Sequence, residues 1–519
     1  MQPGFACYEV GAISKMTSIR PILLKNIGDA SVSLIAWFGM GYALSSGKDF
    51  GGGVGTSYFG LTGDPFAETP EQSSALGYLR CLYQWSFAAA CTTIVSGAVA
   101  DRIPFAAYLI YASLTSALIY PLLAHWVWAD EGWASATRSS PLLGCGVIDF
   151  AGSGVVHMLG GVIALVLAIA ARPRMGRFHY ADEWDYDAQK GGSNLKNHSR
   201  LGQLREAGFE PNDMSWMTLG GFLLWVGWYG FNCGSTLQIS TAESQRAAGR
   251  AAMNTTVAAA FGCIFSLIME RVYHIWSPSY RHGDVIDDPL HHQDNKNATP
   301  TDKKTKDLIK DHQEADGLEG PWWKPVPWSY STHENYHGAA VNGVLAGLVG
   351  VTAGCATMGY YSAVWVSFVS IFLYHVSYRG ILCCRVDDAV GASAIHFVCG
   401  AWGLLAAGLT ATDEDARLDA GYPSDEECSW HSQARANMIM TVIIFFYGVI
   451  CAAIIAGIIL ALQKSDKIDD TETVEKREDH GGILHIERGF QNEGGTADPD
   501  SANAGIPPST EDEEKVAQS

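Results

Sequence analysis

Charge is what this 519-residue chain has little of. Asp, Glu, Lys and Arg make up 17% of it, against about 25% in an ordinary soluble domain. The shortage is uneven: most charges sit in a few blocks, and the stretches between them run nearly charge-free for about 20 residues, the length of a membrane-spanning helix. Mean hydropathy is slightly positive, +0.06. This argues against a soluble enzyme or a disordered chain. A basic surface is also missing. Lys and Arg number 34 against 54 Asp and Glu, for a net charge of −20, whereas a nucleic-acid binder needs a basic face. There is no CxxC pair. The 12 cysteines are scattered, mostly inside apolar runs, so neither a zinc site nor a disulfide framework is predicted, and no metal or cofactor is implied. Cys383-Cys384 reads as a membrane-interface pair. Residues 1–14, "MQPGFACYEVGAIS", lack a basic n-region and a cleavage site. They do not read as a signal peptide but as the second half of a helix.

What is present is a series of ten apolar spans, near 24–46, 77–99, 103–126, 150–171, 215–238, 251–274, 338–358, 360–381, 389–411 and 437–462. Several are dense in Gly, Ala and Ser, which lets helix backbones approach closely. With the half helix, the predicted fold is all-α: a polytopic membrane bundle of about 11 transmembrane helices. Residues 1–463 form its membrane domain, with insertions near 172–213 and 275–336; residues 464–519 form a tail. Alternate loops, starting before the first full span, carry 27 of the 34 basic residues, and the opposite set carries seven: Lys48, Arg80, Arg138, Arg246, Arg250, Arg417 and Arg435. The positive-inside bias places the basic set in the cytoplasm, together with both insertions and the tail. From Ser465 onward the tail has 15 acidic and 5 basic residues, a composition that reads as disordered. The sequons at Asn197 and Asn297 fall in the predicted cytoplasmic insertions.

Two distant segments match. "DFAGSGVVHMLGGVIALVLA" starts at Asp149, and "DAVGASAIHFVCGAWGLLAA" starts at Asp388. Aligning the acids puts Gly152 on Gly391, His157 on His396 and Gly161 on Gly400. By span count the two helices run in opposite directions, as in inverted 5+5 repeats around a central site. An Asp at a helix start caps free N–H groups, the structural role predicted for Asp149 and Asp388. A lone His on an apolar helix is usually a satisfied core residue. Two at repeat-equivalent, mid-membrane positions mark a substrate or proton path, because imidazole donates at one nitrogen and accepts at the other.

These segments resemble the Amt/Mep/Rh ammonium transporter family, and the resemblance covers about residues 1–462. "DFAGSGVVHMLGG" is similar to the family's fifth helix and "VDDAVGASAIHFVCGAWG" to its tenth. "WVGWYGFNCGS" (225–235) is similar to the sixth, "FAAACTTIVSGAVADRI" and "AHWVW" to the third and fourth, and "MQPGFACYEVGA" to the second half of the first. The resemblance implies a substrate site at the outer mouth from Trp128, Phe87 and Ser235, with Tyr83 as a further outer aromatic. It implies a pore gate from Phe87 and Phe231, a pore or proton relay from His157 and His396, and structural support from Asp149. Trp128 and Ser235 together look more like the Amt/Mep branch.

The implied function is ammonium transport, also of methylammonium, by a plasma-membrane homotrimer in the lipid bilayer with a cytoplasmic C-terminus. Nucleic acid is not a partner. The competing reading is an ammonium sensor signalling through its loops and tail. An enzyme is not implied, since no Ser/His or HExxH arrangement is present. Acidic outer-loop residues (Asp49, Asp64, Glu68, Glu71, Asp130, Glu131) are expected either to concentrate cations or simply to be solvated. Ala389 and Gly391 depart from the family pattern, and the tail segment "EDHGGILHIERG" is at best a distorted match to the family's regulatory segment.

Overall fold

The computed structural model describes residues 1–14, 19–67, 75–100, 102–174, 177, 211–276, 336–424, 426 and 428–474. The sequons at Asn197 and Asn297, most of both insertions, Glu68, Glu71 and the tail beyond 474 lie outside the described residues. The chain divides into two units, Met1–Leu462 and Gln463–Ser519.

The first unit is a helical bundle. In chain order the helices are α1 (Gln2–Ala12), α2 (Ile19–Ser46), α3 (Ala75–Ala98), α4 (Phe105–Trp128), α5 (Ser153–Ala171), α6 (Met214–Gly234), α7 (Ala242–Trp276), α8 (Tyr336–Thr352), α9 (Tyr360–Cys383), α10 (Ser393–Thr410) and α11 (Trp430–Val474), the last of which belongs to this unit up to Leu462. Among the described residues seven of them are long and apolar enough to cross a membrane by themselves: α2, α4, α5, α7, α9, α10 and α11. Gly, Thr, Tyr and Trp dilute the hydropathy of α3 and α6, and α8 has only 17 residues. The predicted spans 251–274 and 437–462 are too short. α7 begins at Ala242, where Arg246 and Arg250 bond Asp419 on the short surface helix Glu414–Asp419. The charges that seemed to end the span belong to a helix that continues past the apolar layer.

Small residues set the crossings. α1 lies flush on α6: a Cβ at Gly4 would stand 2.9 Å from Leu224 N, and one at Gly220 would stand 2.6 Å from Tyr8 Cα. α5 and α10 cross in the same way. Gly161 abuts the backbone of His396 and Phe397, Gly400 abuts Met158, and Gly403 abuts Ser153. Positions rise on one helix as they fall on the other, so the two repeat helices are antiparallel.

One sequence expectation fails. Cys145 and Cys428 form a disulfide, with Cα atoms 4.9 Å apart, that ties the segment before α5 to the segment before α11. Its partners are 283 residues apart, a pairing that no local spacing announces. At the opposite end of the bundle Asp387 holds three arginines: Arg174 at 2.7 Å, Arg177 at 3.6 Å and Arg102 at 3.9 Å. Burial raises the Asp387 carboxyl, but the hydrogen bond and charge of Arg174 outweigh it, with help from Arg102 and Arg177. The carboxyl ends well below the usual carboxylate range.

Candidate functional site

The site begins with two local deviations that occur at repeat-equivalent positions. Ahead of α5, Gly152 takes φ +97°, and ahead of α10, Gly391 takes φ +70°, a left-handed conformation that glycine adopts without strain. Each follows its acid by three residues. Asp149 accepts from the N–H groups of Gly152 (3.0 Å), Gly154 (3.0 Å) and Val155 (2.8 Å). Asp388 accepts from Ala392 (3.1 Å) and Ser393 (2.6 Å). Orphan donors at a helix start need such acceptors. Both helices then open with a π-turn, Ser153–Met158 and Ser393–Val398, and each turn carries its histidine. The wider π spacing rotates the residues after it, and such turns are frequent at functional sites.

The two histidines meet. His157 Nδ1 and His396 Nδ1 are 3.2 Å apart, with ring centroids 5.2 Å apart and planes tilted by 21°. One Nδ1 donates to the other, so in a neutral pair one Nε2 carries a proton and the other a lone pair. His157 is fully buried, and its Nε2 has no hydrogen-bond partner among the described residues. Buried polar atoms in native proteins are normally partnered, so His157 Nε2 is an exception that keeps hydrogen-bonding capacity to spare.

Above the pair sits an aromatic cluster. The Phe231 ring lies 5.8 Å from His157 and stacks on Phe87 at 3.9 Å. Phe87 meets Trp128 edge-on at 5.6 Å and Tyr83 at 5.0 Å. Trp128 is oriented by its Nε1–H, which donates to the Asp149 carbonyl at 2.7 Å. Asp149 therefore serves both the histidine helix, through its carboxylate, and the tryptophan, through its backbone. Ser235 sits at the edge of the cluster: its hydroxyl donates to Phe231 O at 2.9 Å and lies 3.3 Å from Tyr83 Oη, leaving lone pairs for a donor. Thus Trp128, Phe87, Phe231, Tyr83 and Ser235 lie together, and Asp388 stands apart from them beneath α10.

Sequence reasoning missed two parts of this site. Trp228 stacks on His157 (5.0 Å, 12°) and donates to Thr352 Oγ1 at 2.8 Å; it lies three residues before Phe231 on α6, a spacing that puts both on one face. The second is a cavity below the histidines, lined among others by Phe5, Glu9, Thr93, Trp228 and His396. At the outer end Asp49 is not a free attractor. It accepts from His125 Nε2 and Gly52 N–H, both at 2.9 Å. Burial raises its carboxyl, but the bonds from His125 and Gly52 together outweigh that rise and hold it below the usual range.

Comparison with known proteins identifies the family. The profile of the Ammonium Transporter Family matches residues 1–190, 195–278 and 331–479. Ammonium transporter 1 member 2 of Oryza sativa subsp. japonica is 31% identical over 412 residues, 78% of this chain and 66% of that protein. Ammonium transporter 1 member 1 of Solanum lycopersicum is 31% identical over 410 residues, again 78% and 66%. The chain thus spans just under two thirds of the length of these relatives. Among solved structures, one titled Sensor Amt Protein superposes with a TM-score of 0.62 at 24% identity, covering 89% of both chains. Saccharomyces cerevisiae Mep2 superposes at 0.58 and 21%, covering 88% of this chain and 80% of that one; at such identities the likeness is one of fold. The extent of the family match, together with the relatives' identity, makes this chain a member of the ammonium transporter family.

Proposed function

We propose that the protein moves ammonium across a membrane by recruiting the cation at the aromatic mouth, removing a proton there and passing neutral ammonia by the histidine pair. The observation that carries this reading is the buried His157–His396 contact beneath the Phe87–Phe231 stack, with His157 Nε2 unpartnered among the described residues. A bare cation in so apolar a passage costs tens of kcal/mol in the Born limit. Cation–π contact with Trp128 and Phe87 offers about 2 kcal/mol each when desolvated, enough for the mouth and far too little for the whole path. Neutral ammonia escapes that penalty, and the Nε2 atoms give it one donor and one acceptor. Potassium has no N–H to donate and no proton to lose, and a site built around a hydrogen bond strongly rejects an analogue lacking it.

On this reading Trp128, Phe87 and Ser235 bind the cation, Phe87 and Phe231 gate the pore, and Asp149 and Asp388 hold the two helix starts. The disulfide supports the orientation predicted from charge. Its two loops belong to the set poor in Lys and Arg, and disulfides persist on the oxidising side of a membrane. A plasma-membrane homotrimer with one pore per subunit follows from the family resemblance.

The test is labelled methylammonium uptake in yeast lacking its own ammonium transporters, with surface abundance quantified. The parent is expected to take up label. Trp128→Ala should raise KM about 10- to 30-fold, the equivalent of up to about 2 kcal/mol, and His157→Ala should lower the maximal rate. No uptake by a parent present at the surface would sink the transport reading and leave the sensor as the better account.

A further inference from the structure

We propose that Glu9 is the residue that turns ammonia back into ammonium where the pore leaves the histidines; this deepens the transport reading and rests on it. α1 passes beside the histidine pair. Its Phe5 ring lies 6.4 Å from the His396 ring, and Glu9 follows one turn later on the same face. Phe5, Glu9 and His396 line one cavity, whose other walls include Ile94, Leu224 and Val390. A neutral solute passing His396 therefore enters an apolar chamber with a carboxyl group in its wall.

Glu9 is built in, not stranded. It is 3% exposed. Asn26 Nδ2 donates to it at 2.9 Å and Ser96 Oγ at 3.0 Å, and both bonds end on Oε2. Oε1 accepts from no group among the described residues, yet it is not sealed off as His157 Nε2 is. Two donors thus fix one oxygen and leave the other unbonded among the described residues, on a side chain that lines the chamber, which suits a proton-transfer group: locked by its neighbours on one side and free to meet a solute on the other. The charged groups facing it are Lys25 and Asp29 of α2, with the Tyr108 phenol of α4 beyond them. From α3, α6 and the segment before α10 the neighbours are Ser96, Leu224 and Val390. Asp29 is fully buried, accepts from Thr93 at 2.5 Å and from Thr92 at 3.2 Å, and lies behind the chamber wall.

The step balances. The Glu9 O–H bond breaks and an N–H bond forms on ammonia, giving a carboxylate and an ammonium ion in contact. Ammonium leaves for the cytoplasm, and the carboxylate takes its proton from cytoplasmic hydronium, which becomes water. A charge-assisted pair of this kind is about twice as strong as a neutral hydrogen bond, so the cation forms beside a counter-charge and not in bare hydrocarbon.

The experiment uses the full chain in proteoliposomes of fixed orientation, with the pH on the cytoplasmic face varied and the outer pH held constant. Methylammonium is the transported probe, and Glu9→Gln and Glu9→Asp are compared with the parent. The parent's maximal rate should depend on cytoplasmic-face pH. Glu9→Gln should lower that rate at least tenfold, leave KM at the outer mouth within twofold and abolish the pH dependence; Glu9→Asp should restore the pH dependence. An unchanged Glu9→Gln, or a loss shared by both variants with the parent's pH profile intact, overturns the proposal while leaving transport established. A parent that moves no methylammonium refutes the transport reading instead. A second measurement needs no variant. The parent is treated with dicyclohexylcarbodiimide, which adds to protonated carboxyl groups in apolar sites, and labelled peptides are mapped by mass spectrometry. Labelling at Glu9, suppressed severalfold by ammonium, is expected. Absence of label there, or label indifferent to ammonium, counts against Glu9.

Discussion

Adding a single methyl group at Gly161 should uncouple the histidines. Gly161 lies one turn after His157, at the point where α5 crosses α10. A Cβ placed there meets Phe397 N most closely and stands 2.7 Å from the His396 carbonyl carbon, whereas ordinary contact begins at 3.4 Å, so the backbones must part by more than about 0.7 Å. The neighbouring atoms are backbone, which has no rotamer by which to yield. The same movement takes the Nδ1 contact from 3.2 Å to about 3.9 Å or more, beyond a hydrogen bond. Overpacking costs about 1–3 kcal/mol, and the lost hydrogen bond about 0.5–1.5 kcal/mol. A fold with about 5–15 kcal/mol of stability survives both. Function should not, because misplacing reacting groups by about 1 Å costs on the order of 10²-fold. Initial-rate methylammonium uptake, divided by surface abundance, should therefore fall about 10- to 100-fold in Gly161→Ala. Gly457→Ala is the control: no atom lies within 4 Å of the place its Cβ would take, and its rate should match the parent's. If Gly161→Ala transports at the parental rate per molecule, the claim that this crossing sets the histidine geometry is wrong, even if fewer molecules reach the surface.

Two further expectations concern stability. Cys145→Ser with Cys428→Ser, or a reducing agent on the parent, should lower the Tm of the purified protein, since removing a native disulfide costs about 2–5 kcal/mol in small domains; identical melting with and without reductant would show that the outer loops need no tie. Asp387→Asn should also lower the Tm near neutral pH, because it removes the acid that the half-buried Arg174 and Arg102 share, a loss below the about 3–5 kcal/mol of a fully buried pair. The sign with pH follows from the depressed carboxyl. Its contribution is complete above the unfolded value of about 3.9 and fades as pH falls below it. The gap between parent and Asp387→Asn should therefore narrow in melts taken at progressively lower pH below about 4, and a gap independent of pH would refute the assignment.

Local patterns in the chain were enough to read the bundle and the pair at its centre. Charge-free stretches marked the helices because a membrane-crossing segment must be apolar, and the Asp–Gly–His spacing survived in both repeats because each helix start needs the same acid and the same left-handed glycine. The pattern lost its power wherever a property depended on a distant partner. Cys145 meets Cys428 only after all the chain between them has folded. Arg246 and Arg250 looked like the end of a span because their acid, Asp419, lies on a separate surface helix. Asp49 was left between a cation attractor and an ordinary solvated acid because nothing in its own loop announces His125. Glu9 is the most instructive omission. In sequence it is one acid in a short apolar helix, and its surroundings come from four other segments: Asn26, Ser96, Leu224 and Val390. Yet a signal was available, since a carboxylate one turn from Phe5, in a segment otherwise without charge, is as expensive inside a membrane as a histidine. The rule that singled out His157 and His396 applies equally to Glu9. What set the histidines apart was that the repeat displayed them twice, whereas Glu9 has no counterpart in the second half to draw attention to it. An asymmetric carboxylate gives the inner exit a proton donor of its own where the outer mouth has an aromatic cation site, so the two mouths differ chemically although the histidine helices between them repeat.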